Sequence, residues 1–332
     1  MKLAFVTGGT GFVGANVIRE LLARGWRVRA LARAGSDRRN LDGLDLDIVV
    51  GDLDSPHLAR SLEGCDALFH IAAHYSLFRK DRDAVMHANA VGTRTLLAAA
   101  GNARVPRTVY TSSVSAIGVK SGAIADETYQ SAPERLIGAY KRSKYLAERE
   151  ALAAAERGLD VTIVNPSTPI GPWDRKPTPT GEILVRLLTG NMPAIVDTGL
   201  NFVAVEDVAR GHLAAYERGK TGERYILGDE NLTLRAFLAR AAAIARVRAP
   251  RFAVPHWLPL AAAWIDESAS PLFGRAPSLA VDSVRMSREA MYYDARKARA
   301  ELGYATTGLD GAIERAVAWF VQNGYARTPL AR

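Results

Sequence analysis

Thr7-Gly8-Gly9-Thr10-Gly11-Phe12-Val13-Gly14 is the stretch on which the reading of this chain turns. Its glycines at 8, 11 and 14 follow a short apolar run, residues 3–6, and open a helical pattern over 13–24. Gly8 permits a tight turn. Gly11 lets a pyrophosphate approach the backbone at a helix N-terminus, and Gly14 allows close helix–strand packing. Three spaced glycines alone say little. Between a strand and an amphipathic helix they predict a dinucleotide cradle, with Thr10, Phe12 and Val13 completing it.

The surrounding pattern agrees. Residues 26–32, 47–50, 67–71, 108–111 and 161–165 read as further short apolar strands, bounded by Gly, Asp or Asn. Helical stretches over 82–100 and 138–157 lie between them. Repeated strand–helix–strand order predicts an α/β fold, a Rossmann-type doubly wound parallel sheet. After Asn165 five prolines fall between 166 and 179, which predicts a loop or crossover rather than regular structure. Residues 200–205 read as a buried strand and 206–218 as a helix, returning to the sheet. From Thr233 the chain reads as helical with proline breaks, ending in a helix over 309–322. The expected division is a dinucleotide-binding domain of 1–167 and 200–227. A smaller, discontinuous, mainly helical substrate domain of 168–199 and 228–332 caps the strand ends.

Composition narrows the function classes. The 332 residues are 48% hydrophobic and 23% charged, which excludes disorder and low-complexity fibres. Lys plus Arg exceed Asp plus Glu by 43 to 35, a formal charge of +8. The sign suits a phosphorylated ligand, nucleic acid or an anionic membrane face, but the basic residues are spread along the chain, which argues against nucleic acid. No apolar run reaches transmembrane length, and the N-terminus lacks a signal peptide's pattern. A cytoplasmic protein is expected. The single cysteine, Cys65, reads as a small buried hydrophobe. No His, Cys and acidic residues share a metal-ligand spacing, so no metal is expected.

The end of the second strand chooses between dinucleotides. A site for NAD carries an acidic residue there, on the ribose hydroxyls. Here the strand ends in Arg33, followed by Ser36 and Arg38. A guanidinium suits a 2′-phosphate, so NADP(H) is preferred, with NAD(H) left open. Asp52 and Leu53, after the third strand, fall where the adenine would lie. Ala72 and Ala73, after the fourth, are small enough to line the cofactor.

A Ser–Tyr–Lys constellation supplies the chemistry. Ser112 and Ser113 end the fifth strand, and Tyr140 and Lys144 lie four apart on the next long helix, sharing one face. A tyrosine of pKa near 10 is a poor base at neutral pH. The Lys144 ammonium would lower that pKa, Ser113 would bind the substrate oxygen, and Tyr140 would exchange its proton while hydride moves at the nicotinamide.

These motifs, with Phe202-Val203-Ala204-Val205-Glu206-Asp207-Val208-Ala209, resemble the extended short-chain dehydrogenase/reductase superfamily over essentially the whole chain. That group includes sugar-nucleotide epimerases/dehydratases and dihydroflavonol 4-reductase. Gly35-Ser36-Asp37-Arg38-Arg39-Asn40-Leu41, the run from Asn165 to Pro172 and the run from Lys176 to Gly181 resemble more closely the bacterial hopanoid-associated sugar epimerase family. The resemblance implies that Ser113 rather than Ser112 is catalytic, that Ser115 touches substrate, and that Pro166 packs against the nicotinamide. It places Asn89 on the cofactor side, with a purely structural role equally open. It also implies a homodimer built on the helices over 82–100 and 138–157. One departure stands out. A Val-Tyr-Gly-Pro turn is usual, and this chain has Thr168-Pro169-Ile170-Gly171-Pro172. The missing tyrosine makes the substrate side less like a sugar-nucleotide site.

Thr168 and Lys176 near the cap entry, and His74 with Tyr75 after the fourth strand, are the remaining substrate candidates. The apolar, aromatic stretch 256–265 reads first as cap core, with a peripheral membrane contact left open. Three functions are carried forward. One is an NADP(H)-dependent reductase of a ketone, which the resemblance links to hopanoid lipid metabolism. The second is a sugar or sugar-nucleotide epimerase/dehydratase with retained NAD(P). The third is a non-catalytic NADP(H) sensor.

Overall fold

The computed structural model describes residues 1–273, 277 and 279–327, so the end of the expected cap, 328–332, lies outside it. In chain order, the first half runs β1 Leu3–Thr7, α1 Phe12–Ala23, β2 Arg27–Ala32, β3 Asp47–Val50, α2 Leu58–Leu62 and β4 Ala67–His70. It continues with α3 Arg82–Met86, α4 Gly92–Asn102, β5 Thr108–Thr111, α5 Val114–Ile117, α6 Gly138–Glu156 and β6 Val161–Pro166. A π-helical segment, His87–Val91, joins α3 to α4.

Six of these strands and a later one, β10 Arg224–Leu227, form a seven-stranded parallel sheet in the order β10-β6-β5-β4-β1-β2-β3. β1, β4, β5 and β6 are buried along their whole length, as strands covered on both faces must be. α1 packs with α8 Val205–Arg218, while α2, α4 and α6 pack together in a second helical layer. The strand order reverses direction beside β1. The carboxyl ends of β1 and β4 therefore splay into the crevice where such sheets hold ligands.

The second half departs from the expected layout. β7 Thr168–Ile170 pairs with β9 Gly199–Ala204, which pairs with β11 Glu230–Thr233 in a separate three-stranded sheet. The strand expected over 200–205 thus leaves the main sheet, and only α8 and β10 return to it. Part of the proline-rich run is regular after all. Pro169 sits inside β7, which pairs on one side only, so its missing N–H costs little. α7 Pro179–Leu188, α9 Leu234–Ala245 and α13 Leu309–Gln322 close over this sheet. Their core includes Phe202 stacked on Phe237 at 4.1 Å, with Leu184, Leu187, Ile313 and Phe320.

A two-stranded pair, β8 Ala194–Ile195 with β12 Phe252–Ala253, leads into α10 Trp257–Ala269, then α11 Val281–Met286 and α12 Arg296–Leu302. The expectation that 256–265 forms cap core fails here. Only Ala263 of α10 is buried, and the aromatic side chains face outward. Pro259 is tolerated because it lies in the first turn, where its missing N–H has no intrahelical partner.

Candidate active site

The glycine loop is built by close backbone contacts. Gly8 has φ +73°, and a Cβ there would lie 2.6 Å from the Ala72 nitrogen, so β1's loop can abut β4's loop only without a side chain. A Cβ on Gly14 would run into the Gly8 carbonyl oxygen, so this glycine serves the turn itself. A Cβ on Gly11 would meet little beyond the Gly8 oxygen, at 3.3 Å. That open approach at the N-terminus of the twelve-residue α1 fits a dinucleotide pyrophosphate, flanked by Thr10, Phe12 and Val13.

At the end of β2, Arg33 is exposed and Ser36 and Arg38 are half-buried. Asp37 is occupied by Arg39, at 2.6 Å, which holds its carboxyl down at about 2. Among the described residues no carboxylate lies within ion-pair distance of Arg33 or Arg38. Asp52 closes its own turn, accepting from Ser55 Oγ at 2.9 Å, and Leu53 packs on Gly92. Ala73 and His74 are exposed at the end of β4.

Ser113, at the end of β5, and Tyr140, in the first turn of α6, converge. The Ser113 hydroxyl lies near enough to the Tyr140 phenol to favour its ionised form, and it accepts from the Ser115 N–H at 3.1 Å. Tyr75 packs edge-on against Tyr140, 4.5 Å between centroids. Burial pushes the Tyr140 phenol up to about 12, with the neighbouring Ser113 hydroxyl pulling the other way. This differs from the lowering expected from Lys144. The Lys144 Nζ is turned into the protein, donating to the Thr111 carbonyl at 2.7 Å and the Tyr110 hydroxyl at 3.3 Å. Burial lowers it to about 8, with Glu148 opposing.

Behind these three lies a polar layer that sequence reasoning missed. Asn165 Nδ2 donates to the Ser113 carbonyl at 3.1 Å and to Glu148 Oε2 at 2.7 Å. The other Glu148 oxygen pairs with Arg224 at 2.9 Å, from β10. Glu148 was within reach of the sequence, since Tyr140, Lys144 and Glu148 are spaced by four on one helix face. Lys141 is a second surprise. It is buried, its Nζ lies 3.8 Å from Met291 Sδ, and burial lowers it to about 8.

Asn89 is buried and bonded within the protein. Its Oδ1 accepts from the His74 N–H at 2.7 Å, and its Nδ2 donates to the His74 carbonyl and, at 2.8 Å, to Ser143 Oγ. It ties the β4 loop to α6, and the π segment around it supplies the local geometry. Buried His70 bridges Thr7 and Thr93, and buried His212 binds Thr111, so both serve the core.

Pro166 ends β6, buried, and Thr168 opens β7 two residues on. Lys176 is exposed and lies elsewhere, just past a turn fixed to the glycine-loop side. There Asn40 Nδ2 donates to both the Thr10 and Trp173 carbonyls, at 3.1 and 3.0 Å. Asn16 reaches the Pro172 carbonyl at 3.1 Å, and the Arg19 guanidinium covers the Trp173 ring at 3.5 Å.

The family model for NAD-dependent epimerases/dehydratases matches residues 4–228. A Synechocystis protein provisionally named a dihydroflavonol 4-reductase is 56% identical over 329 residues, covering 98% of this chain and 96% of that one. Sterol demethylase protein B of Methylococcus capsulatus is 37% identical over 322 residues, covering 96% of this chain and 98% of that protein. The crystal structure of gox2253 superposes with a TM-score of 0.87 at 45% identity, covering 98% of this chain and all of that one.

Proposed function

The chain belongs to the NAD-dependent epimerase/dehydratase family, and on that premise we propose that it is an NADP(H)-dependent ketone reductase acting on an apolar, polycyclic or similarly bulky substrate. The observation that carries the reading is the Ser113 hydroxyl set beside a Tyr140 phenol that holds its proton at neutral pH. A carbonyl oxygen placed between them would accept a hydrogen bond from Ser113 Oγ and the proton of Tyr140 Oη as it gains negative charge. A bound nicotinamide supplies the hydride. Lys144, anchored on Thr111, sits one helical turn from Tyr140 and supplies the positive charge on this face of the helix. Asn165 and Glu148 hold Ser113 and the helix in register.

Arg33 and Arg38 support the 2′-phosphate, because Arg39 already satisfies the neighbouring carboxylate. The cap supports an apolar substrate. Arg285 of α11, a cation of the kind that could clamp a diphosphate, lies over the Trp264 ring at 5.6 Å and beside Asp282 at 3.8 Å. Arg175 lies over Trp319. The Methylococcus relative, named for sterol demethylation, is consistent with a polycyclic ligand.

The test is purification followed by assay with polycyclic ketones. NADPH consumption by the wild type, with Arg33→Asp losing NADPH affinity relative to NADH, supports the reductase. Equal affinity of the wild type for both dinucleotides would refute the phosphate pocket. The family's name favours a second reading, an epimerase that oxidises and re-reduces one carbon. Stoichiometric, tightly held oxidised cofactor would select it. The intact Ser113, Tyr140 and Lys144 set disfavours a sensor. We further propose a cytoplasmic homodimer through the outward faces of α4 and α6, where Ala98 and Leu146 are exposed. A monomer at micromolar concentration in light scattering would refute the dimer.

A further inference from the structure

We propose that the outer face of α10, with the basic segment that leads into it, docks this protein on an anionic lipid surface. Trp257 and Leu258 in the first turn and Ile265 two turns on are 66%, 46% and 68% exposed, and Phe252 just before the helix is 69% exposed. Ala261 and Ala262 lie exposed between them, so positions 258, 262 and 265 form one continuous stripe. No charged side chain interrupts the helix before Asp266. An aromatic and aliphatic stripe of this kind is the part of a surface helix that enters the headgroup boundary.

Charge decides the occupant. From Asn231 to Ile265 the chain carries five arginines and no acidic residue. Arg240 pairs with Glu230 and Asp310, and Arg235 lies 4.0 Å from Asp197. Arg246, Arg248 and Arg251 are exposed, and no ion pair is formed by them among the described residues. A second copy of this face would bring those arginines against their own kind. An anionic membrane would neutralise them while taking up the apolar stripe.

The face borders the catalytic mouth. The Trp264 ring packs under the Arg79 guanidinium at 4.7 Å, on the loop that also carries Tyr75. α11 packs on α10, and its Asp282 adjoins Gly138, the first residue of the helix bearing Tyr140. Docking would hold the substrate entrance at the bilayer. The proposal stands on the exposed face and does not depend on the reaction assigned above.

The experiment is co-sedimentation of the full chain with vesicles of phosphatidylcholine, alone or mixed with phosphatidylglycerol. The expected result is binding to the anionic vesicles that weakens with salt, with a blue shift of tryptophan emission. Trp257→Ser with Ile265→Ser, and separately Arg248→Glu with Arg251→Glu, should each cut binding on the order of tenfold or more. Melting temperature and soluble-substrate turnover should stay unchanged, which separates lost docking from lost folding. Absence of binding to anionic vesicles, or binding that both double variants retain, overturns the proposal. So does a wild-type oligomer that Ile265→Ser dissociates, or tighter binding to a single-stranded oligonucleotide than to vesicles.

Discussion

Two helices near the mouth of the site treat water in opposite ways. α6 buries charge: Lys141, Lys144 and Glu148 all lie inside. α10 exposes apolar surface, with Trp257, Leu258 and Ile265 outside and only Ala263 buried. α11 packs between the two ends. Residue type ordinarily predicts burial, and each helix breaks that rule for a different reason. On α6 Lys144 and Glu148 have polar partners, through Thr111, Tyr110, Asn165 and Arg224, while Lys141 reaches Met291 Sδ. On α10, among the described residues, Trp257, Leu258 and Ile265 remain largely exposed. A buried charge with partners marks a site assembled inside the molecule, and an unpartnered apolar face marks one completed from outside.

The contrast breaks hardest at Tyr140. Tyr140→Phe removes one hydroxyl from α6 and should leave folding intact while lowering turnover by about 10²- to 10⁴-fold. Near-normal turnover on a confirmed substrate would remove α6 from the chemistry. Glu148→Ala comes next. It removes the carboxylate that Arg224 and Asn165 share in the interior and should cost about 3–5 kcal/mol of stability. Urea denaturation checks this, and a loss below about 1 kcal/mol would mean that the network is slack.

Lys141 gives the contrast a pH dependence. Its folded pKa, about 8, lies below its unfolded value, so the unfolded chain binds more protons between the two. Stability should therefore rise as pH increases from about 8 toward 10, and Lys144 acts in the same direction. Lys141→Met should flatten that rise and stabilise the protein near pH 8 by up to roughly 3 kcal/mol. Denaturation midpoints measured across this range decide it. An unchanged slope would show that Lys141 is solvated. The smallest effect belongs to α10. Leu258→Ser should change stability by less than about 0.5 kcal/mol. A cooperative loss of several degrees would mean that the face packs against something in the folded chain.

The parts legible in the sequence were those with a period or a fixed spacing. The strand–helix alternation, the glycine loop and the shared face of Tyr140 and Lys144 all follow from local geometry. The helix over 309–322 appears with those same bounds. The second sheet was hidden because β7 lies among prolines and β11 carries polar residues, Glu230 and Asn231, so neither has a strand's apolar signature. Pairing across some thirty residues with β9 makes them strands. α10 misled for the converse reason, since apolarity reads as burial unless the neighbours are known. Asn165 and Arg224 were invisible because their partners come from distant segments. Lys144 was placed on the right face, but its direction was set by Thr111 and Tyr110 rather than by Tyr140.

The stitch between α1 and the turn at Pro172–Trp173 bears on whether this molecule can be divided. Asn16, Arg19 and Asn40 each reach out of the nucleotide half to hold the same turn, and Asn40 grips Thr10 with the same amide. Cutting the chain after Pro166 would take one partner from each of three side chains and leave the phosphate loop braced from one side. The nucleotide half is thus not a module to be lifted out and fused elsewhere. Its smallest transplantable unit runs at least through Asp174, whose carboxylate accepts from the Thr178 N–H and fastens the turn to α7.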